Sequence, residues 1–362
     1  MHLPPLHVAI YPVTTMSRGT YSNRLARPSS IASSTSSSST SSARSSSVSP
    51  DFLSIQRIIR SVFRTSKITV QHAEKLQAWL HQVYLARLAD DTYLVLKCPP
   101  AYGTRVLRHE KHFLESERTT LETLHEYTQL PVPQVIKHDS QGGAFGSPYL
   151  MMTYLPGRRL SEIGGRLTPT ERCSIDRTLG AYVGALTALS ATQFGTTRRV
   201  FAKKGCNTWK EAFLSLLEAV LRDGEDMLVT IPYESVRYYI GKCSHFLDEA
   251  TQPRLVALNM CDPQNVLVDE QSKRVTGLVG FSNVIWGDPL MCGGIADGND
   301  AFFAGLGERP AGTDGIQARL HMYTAYRAII RIVAYHYRSH QGTDDVDARR
   351  TLSHSLNELA KM

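Results

Sequence analysis

No C-x-x-C pair occurs in this chain, and its six cysteines (Cys98, Cys173, Cys206, Cys243, Cys261 and Cys292) stand far apart. That spacing excludes a zinc ribbon and a secreted disulfide framework, and the cysteines read as reduced intracellular thiols. No run approaches the roughly 18 apolar residues that a membrane-spanning helix requires, which excludes an integral helical membrane protein. The G-x-x-x-x-G-K-[ST] signature is missing, and no G-x-G-x-x-G follows a strand pattern, so P-loop and Rossmann readings have no anchor. No internal repeat is present. His109, Glu110 and His112 imitate a metalloprotease helix, but the histidines are three apart where that chemistry needs four. His336 and His340 have the helical spacing yet lack a glutamate base, and read as helix-surface residues.

Acidic residues and lysine are absent from residues 1–50, which carry Arg18, Arg24, Arg27 and Arg44. The other 312 residues hold 36 basic and 33 acidic groups, so most of the overall +7 belongs to the N-terminal segment. Fourteen of the 21 positions from Ser29 to Ser49 are serine. Such a stretch buries too little apolar area to offset its ordering entropy, and residues 1–50 are expected to be a disordered extension. Their acid-free, Arg- and Ser-bearing composition also suits a mitochondrial presequence, but Pro4, Pro5 and Pro12 interrupt the helix it needs. A cytoplasmic location is therefore expected, with a mitochondrial one as the alternative. Nucleic acid is not an expected partner, because the folded part lacks a basic run interleaved with aromatics.

Hydrophobic periodicity predicts the following elements. A helix covers Ile55 to Phe63, and Gln82–Leu88 and Thr92–Lys97 form a hairpin around Ala89-Asp-Asp91. Val106 to Leu124 is a charged helix, and Val135-Ile136 and Pro148–Tyr154 are strands ended by Leu155-Pro-Gly157. Helices follow near 170–190, 208–228 and 233–249. A second hairpin pairs Asn265–Asp269 with Val275–Val279, and the final strong element is a helix from Arg319 to Tyr337. Its arginines 319, 327, 331 and 338 give it a basic character, and a partner-docking scaffold relying on Arg327 and Arg331 is one reading.

This order resembles fungal members of the aminoglycoside phosphotransferase family, also called the phosphotransferase enzyme family. The resemblance rests on Val83-Tyr-Leu-Ala-Arg-Leu88 with Leu94-Val-Leu-Lys97, Arg108-His-Glu110 with Leu114-Glu-Ser-Glu117, and Ser147-Pro-Tyr-Leu-Met-Met-Thr-Tyr-Leu-Pro-Gly157. Asn265-Val-Leu-Val-Asp269 through Trp286-Gly-Asp-Pro289 completes it, over residues 55 to 337. It implies an α+β, bilobal protein-kinase-like fold, with a small β-rich lobe over 51–155 and a larger helical lobe over 156–362. By the same resemblance Lys97 reaches nucleotide phosphates and Glu117 holds that lysine. Glu115 and Glu122 compete for the role, but Glu117 stands four residues before Leu121, which places it at the core border. Met152 and Tyr154 lie where the strand enters an adenine-binding hinge, and Asn265 takes the metal-binding asparagine position.

Two family carboxylates are missing. Five residues before Asn265, where the family carries its catalytic aspartate, stands Met260, and a one-residue slide brings in only Asn259. The metal-binding aspartate that precedes an aromatic residue is replaced by Gly280, before Phe281. Ser282 and Asn283 are adjacent but neutral, and poor ligands for Mg²⁺. Asp262 is the only carboxylate the resemblance places in the catalytic loop, whereas Asp269 and Asp288 read as turn caps. The sequence thus predicts a kinase-fold protein that binds ATP, with weakened Mg²⁺ binding and lost or impaired phosphotransfer. The alternative is an active kinase of a small hydroxylated metabolite that uses Asp262 as base.

Overall fold

In the computed structural model, residues 52–142, 146–338 and 345–362 are described. The expectations for residues 1–50, and His340, lie outside them.

The first helix, α1 (Phe52–Phe63), forms because Ile55, Ile58 and Ile59 fall on one face, and that face is buried. It is followed by β1 (Val70–Leu76), β2 (Gln82–Leu88) and β3 (Tyr93–Cys98). Alternate residues of β2 and β3 are buried, as a half-covered antiparallel strand requires. Helix α2 (Phe113–Tyr127) precedes β4 (Val135–Asp139) and β5 (Tyr149–Thr153). The five strands make one antiparallel sheet in the order β1-β2-β3-β5-β4. Helix α1 packs its isoleucines with Tyr84, Leu94, Leu96 and Met151 on one face. Leu114, Leu121 and Leu124 of α2 join Leu150 and Met152 in the larger core.

One strand was not expected, and one expected boundary changes. Strand β1 has a mostly exposed, polar sequence, because it is a sheet edge with little to bury. The helix expected from Val106 begins at Phe113, since Arg108–His112 form a 3₁₀ turn in which Glu110 bonds back to the Leu107 amide.

The second lobe starts with β6 (Arg158–Arg159) and α3 (Leu160–Ile163), and continues into α4 (Pro169–Thr187). Thr168 caps α4 in a reciprocal box with Glu171, and Pro169 occupies the first helical position. Next come β7 (Gly195–Thr196), α5 (Thr197–Phe201), α6 (Trp209–Asp226) and α7 (Tyr233–Cys243). Short strands β8 (Arg254–Ala257), β9 (Val266–Val268), β10 (Val275–Leu278) and β11 (Val284–Gly287) form two three-stranded sheets, β10-β9-β6 and β7-β11-β8. The chain closes with α8 (Gly293–Ala296), α9 (Asp300–Leu306), α10 (Asp314–Tyr337) and α11 (Val346–Lys361). Helices α4 and α9 touch backbone to backbone. A Cβ on Gly180 would lie 1.9 Å from the Phe302 carbonyl oxygen, and one on Gly305 1.8 Å from that of Arg177.

The expected terminal helix is longer than its pattern, and α11 follows it. Its arginines are not a free basic face. Buried Arg319 donates to Asp288 at 2.7 Å and to Glu249 at 3.1 Å. Arg338 grips Glu110 with two bonds of 2.7 and 2.6 Å, both side chains buried. Arg327 is half-buried and donates to the Met291 carbonyl at 3.3 Å. The scaffold reading loses half of the surface it required. Asp288 also caps Leu290 and accepts from the Tyr323 hydroxyl at 2.7 Å; that hydroxyl in turn accepts from the Trp209 indole at 2.6 Å. Among the described residues no helix is long and apolar enough to cross a membrane.

Candidate functional site

The two lobes meet where β3, α2 and the loop between β8 and β9 converge. Lys97 is the penultimate residue of β3, and its ammonium donates to the Glu117 carboxylate. The pair is nearly dry, with side-chain exposures of 12% and 5%. Its rivals are occupied elsewhere: Glu115 pairs with Arg198 at 3.3 Å, and Glu122 with Arg118. Met152 sits inside the sheet between Val95 and Val135, with its side chain in the core. The strand ends at Thr153, so half-buried Tyr154 begins the connection between lobes, its ring 5.5 Å from that of Tyr93. Burial raises the Tyr154 phenol above its ordinary pKa. Thr276 pins this connection from below, its hydroxyl donating to the Pro156 carbonyl at 2.6 Å.

The loop after β8 decides which residue faces outward. Met260 is buried to 1% exposure, whereas Asn259 is exposed. Asn265 ties the loop together: its amide N–H donates to the Asp262 carbonyl at 2.7 Å, and its Nδ2 to the Asn259 carbonyl at 2.9 Å. Of the two alignments open in the sequence, the outward residue is thus Asn259, and neither Asn259 nor Met260 can accept a proton as a carboxylate does. Asp262 is exposed, and one of its oxygens accepts from the Gln264 amide at 2.9 Å.

Opposite Asn265 lies Gly280, with φ at +84° in the left-handed region. A Cβ built there would approach Asn265 Cγ to 2.7 Å, so the carboxamide fills the space where a side chain would start. Ser282 and Asn283 line a separate cavity of about 20 Å³ behind α2, with Ser116 and Phe113. Asp269 caps the Ser272 turn, as its sequence context suggests. In this loop Asp262 offers exposed carboxylate oxygens, and the Asn265 carboxamide faces Gly280. Among the described residues no group of three or more His, Cys, Asp or Glu is arranged to hold a metal ion.

One contact was not visible in the sequence. Arg159, at the start of the second lobe, donates to the Gln77 carbonyl at 2.8 Å and to Gln264 at 3.3 Å. It thereby connects the β1–β2 turn to the loop that carries Asp262 and Asn265. Residues 70–92 contain no glycine, and the turn reads Gln77-Ala-Trp-Leu-His81. Backbone cradles for phosphate generally use glycine to approach closely. His81, at the end of this turn, has its pKa pushed down to about 2 by burial first, then by the charges of Lys97 and Arg338.

The model of the phosphotransferase enzyme family matches residues 73–292. The chain belongs to that family. Its protein-kinase-like fold recurs in solved structures across almost their whole lengths. A proposed fructosamine-3-kinase from Thermobifida fusca YX-ER1 has 17% identity and a TM-score of 0.58, covering 85% of this chain and 99% of its own. A proposed aminoglycoside phosphotransferase from Ralstonia eutropha JMP134 has 12% identity and a TM-score of 0.58, covering 86% and 98%. The streptomycin–ATP ternary complex of APH(2″)-IIa has 16% identity and a TM-score of 0.53, covering 87% and 97%. No curated protein matches the chain. In this phosphotransferase-family chain Lys97 is paired with Glu117, and Asn265 is tied to Asn259 and Asp262 within its own loop, whereas Met260 belongs to the core.

Proposed function

We propose that this chain is a kinase-fold protein that retains a nucleotide cleft and has lost or impaired ATP-dependent phosphotransfer. The carrying observation is the pairing of Asn265 with Gly280. The position that should supply an anionic metal ligand has no side chain, and a neutral carboxamide fills its space. Phosphoryl transfer is catalysed mainly by positioning and charge, with little covalent work for the protein. Lys97, held by Glu117, supplies positive charge for phosphates, while Tyr154 and Leu155 offer a connection beside which a base could lie. A positioned general base is worth roughly 10²- to 10⁴-fold in rate, and a metal's charge several kcal/mol more. Retained lysine does not replace both. Weak Mg²⁺ binding and ATP as the nucleotide belong to this reading. The test is ATP consumption and transfer with and without Mg²⁺. Turnover typical of small-molecule kinases, abolished by Lys97→Ala, overturns it.

A second reading follows from the exposure of Asp262, three residues before Asn265 in the same loop. Here the chain phosphorylates a small hydroxylated acceptor and Asp262 takes the hydroxyl proton. It requires Asp262→Asn to eliminate transfer while leaving nucleotide binding intact; unchanged transfer removes it.

A further inference from the structure

A second concavity lies away from the Lys97–Glu117 pair. It is a groove of about 760 Å³ behind α2, between the outer face of that helix, β4 and the chain from Pro99 to Val106. The volume falls within the usual range for small-molecule sites, roughly 300–1,000 Å³. We propose that this groove binds a small organic anion, an apolar body carrying a carboxylate or a phosphate monoester.

Three observations carry the proposal. The first is the lining: Phe113, Leu114, Val135 and Ile136 supply apolar surface, so an occupant with an apolar body fits. The second is charge. The three acids on the wall are each taken by an arginine, Glu110 by Arg338, Glu115 by Arg198 and Glu122 by Arg118. Lys111 and Lys137 also line the groove, and among the described residues neither meets a carboxylate at ion-pair distance. An anion that enters therefore finds two uncommitted ammonium groups. The third is His81, which lines the groove at 9% exposure with its ring 6.3 Å from that of Phe113, so an imidazole stands at the groove wall. That imidazole can exchange a hydrogen bond with a ligand oxygen or hydroxyl. His112 and His138 add ring nitrogens, both with pKa values lowered mainly by burial and then by Arg198 and Arg118 respectively.

The groove shares α2 with the Lys97–Glu117 pair but none of its atoms. Phe113 and Leu114 open the helix that carries Glu117 one turn later. An occupant therefore braces the element that holds Lys97.

Fluorine NMR on the full chain tests the site, with 4-fluorobenzoate and 4-fluorophenyl phosphate as probes and 4-fluorobenzylamine as the cationic control. Saturable binding of at least one anion, with none of the amine, is expected, and the stronger anion shows which head group is preferred. The double variant Lys111→Glu/Lys137→Glu should weaken binding at least tenfold. Ile136→Trp, which fills the floor without changing charge, should abolish it, and Asn265→Ala should leave it unchanged. The proposal is overturned by non-saturable signals, by equal binding of the amine, by wild-type affinity in the charge-reversed variant, or by inorganic phosphate displacing the probes as well as they displace each other.

Discussion

The carboxamide of Asn265 and the bare α-carbon of Gly280 are complementary: a Cβ on the glycine would meet Asn265 Cγ at 2.7 Å. Replacing Gly280 with the family's aspartate therefore does not simply restore a ligand. At φ +84° a non-glycine residue also carries backbone strain. Gly280→Asp should lower stability by about 1–3 kcal/mol and leave Mg²⁺-dependent turnover unrestored. Urea unfolding with a parallel ATPase assay checks both, and the addition of Asn265→Gly should return part of the lost stability. Full stability in the single variant would show that the loop relaxes freely.

Lys97 and Glu117 form a nearly dry pair, so removing one partner strands the other. Lys97→Ala should cost about 3–5 kcal/mol through the uncompensated Glu117 carboxylate. The apolar double variant Lys97→Met/Glu117→Leu should recover most of that loss, since both charges then leave together. Thermal unfolding of the parent, Lys97→Met, Glu117→Leu and the double variant gives the coupling directly. A Lys97→Ala protein as stable as the parent would mean that water reaches Glu117.

Acid should weaken the fold through His81. Its folded pKa lies near 2 against an ordinary 6.5, so in the native protein the ring stays neutral while the unfolded chain takes up a proton below 6.5. The contribution is intact above pH 6.5 and is lost progressively as the pH falls toward 2. Between about pH 7 and about pH 5 the loss from this residue is roughly 2 kcal/mol. His81→Phe, which extends the contact with the Phe113 ring, should flatten that dependence by a similar amount in urea titrations. An unaltered slope would place the acid sensitivity elsewhere.

Arg159 holds the β1–β2 turn down on the second lobe through the Gln77 carbonyl. Arg159→Ala should increase amide exchange across residues 77–81 by about tenfold, the size of one lost charge-assisted bond. Exchange in α2 serves as the internal reference. If the turn exchanges as before, Trp79 and Leu80 must be anchoring it instead.

What could be read from the sequence follows from how each contact is encoded. Glu117 was legible because its four-residue offset from Leu121 marks a core-facing carboxylate, and the alternation in Gln82–Leu88 marks a half-buried strand. Strand β1 was not, since an edge with one fully buried position has no alternation to show. Arg319 and Arg338 looked like surface charge because their partners, Asp288 and Glu110, lie 31 and 228 residues away. The Arg159–Gln77 contact ends on a backbone carbonyl, which no side chain announces. The loss at Gly280 was plain from its identity alone, but the filling of its space by Asn265 required coordinates.

The Arg338–Glu110 clasp has a consequence for how the protein can be divided. The span that defines the family ends at residue 292, yet the cation that neutralises Glu110 comes from the end of α10. A fragment cut at that boundary would retain every motif of the family and leave a buried carboxylate beside the N-terminus of α2 without its counter-charge. The recognisable portion of the chain is thus not a self-sufficient one; the end of α10 acts as an external brace on the first lobe, and an expression fragment has to include it.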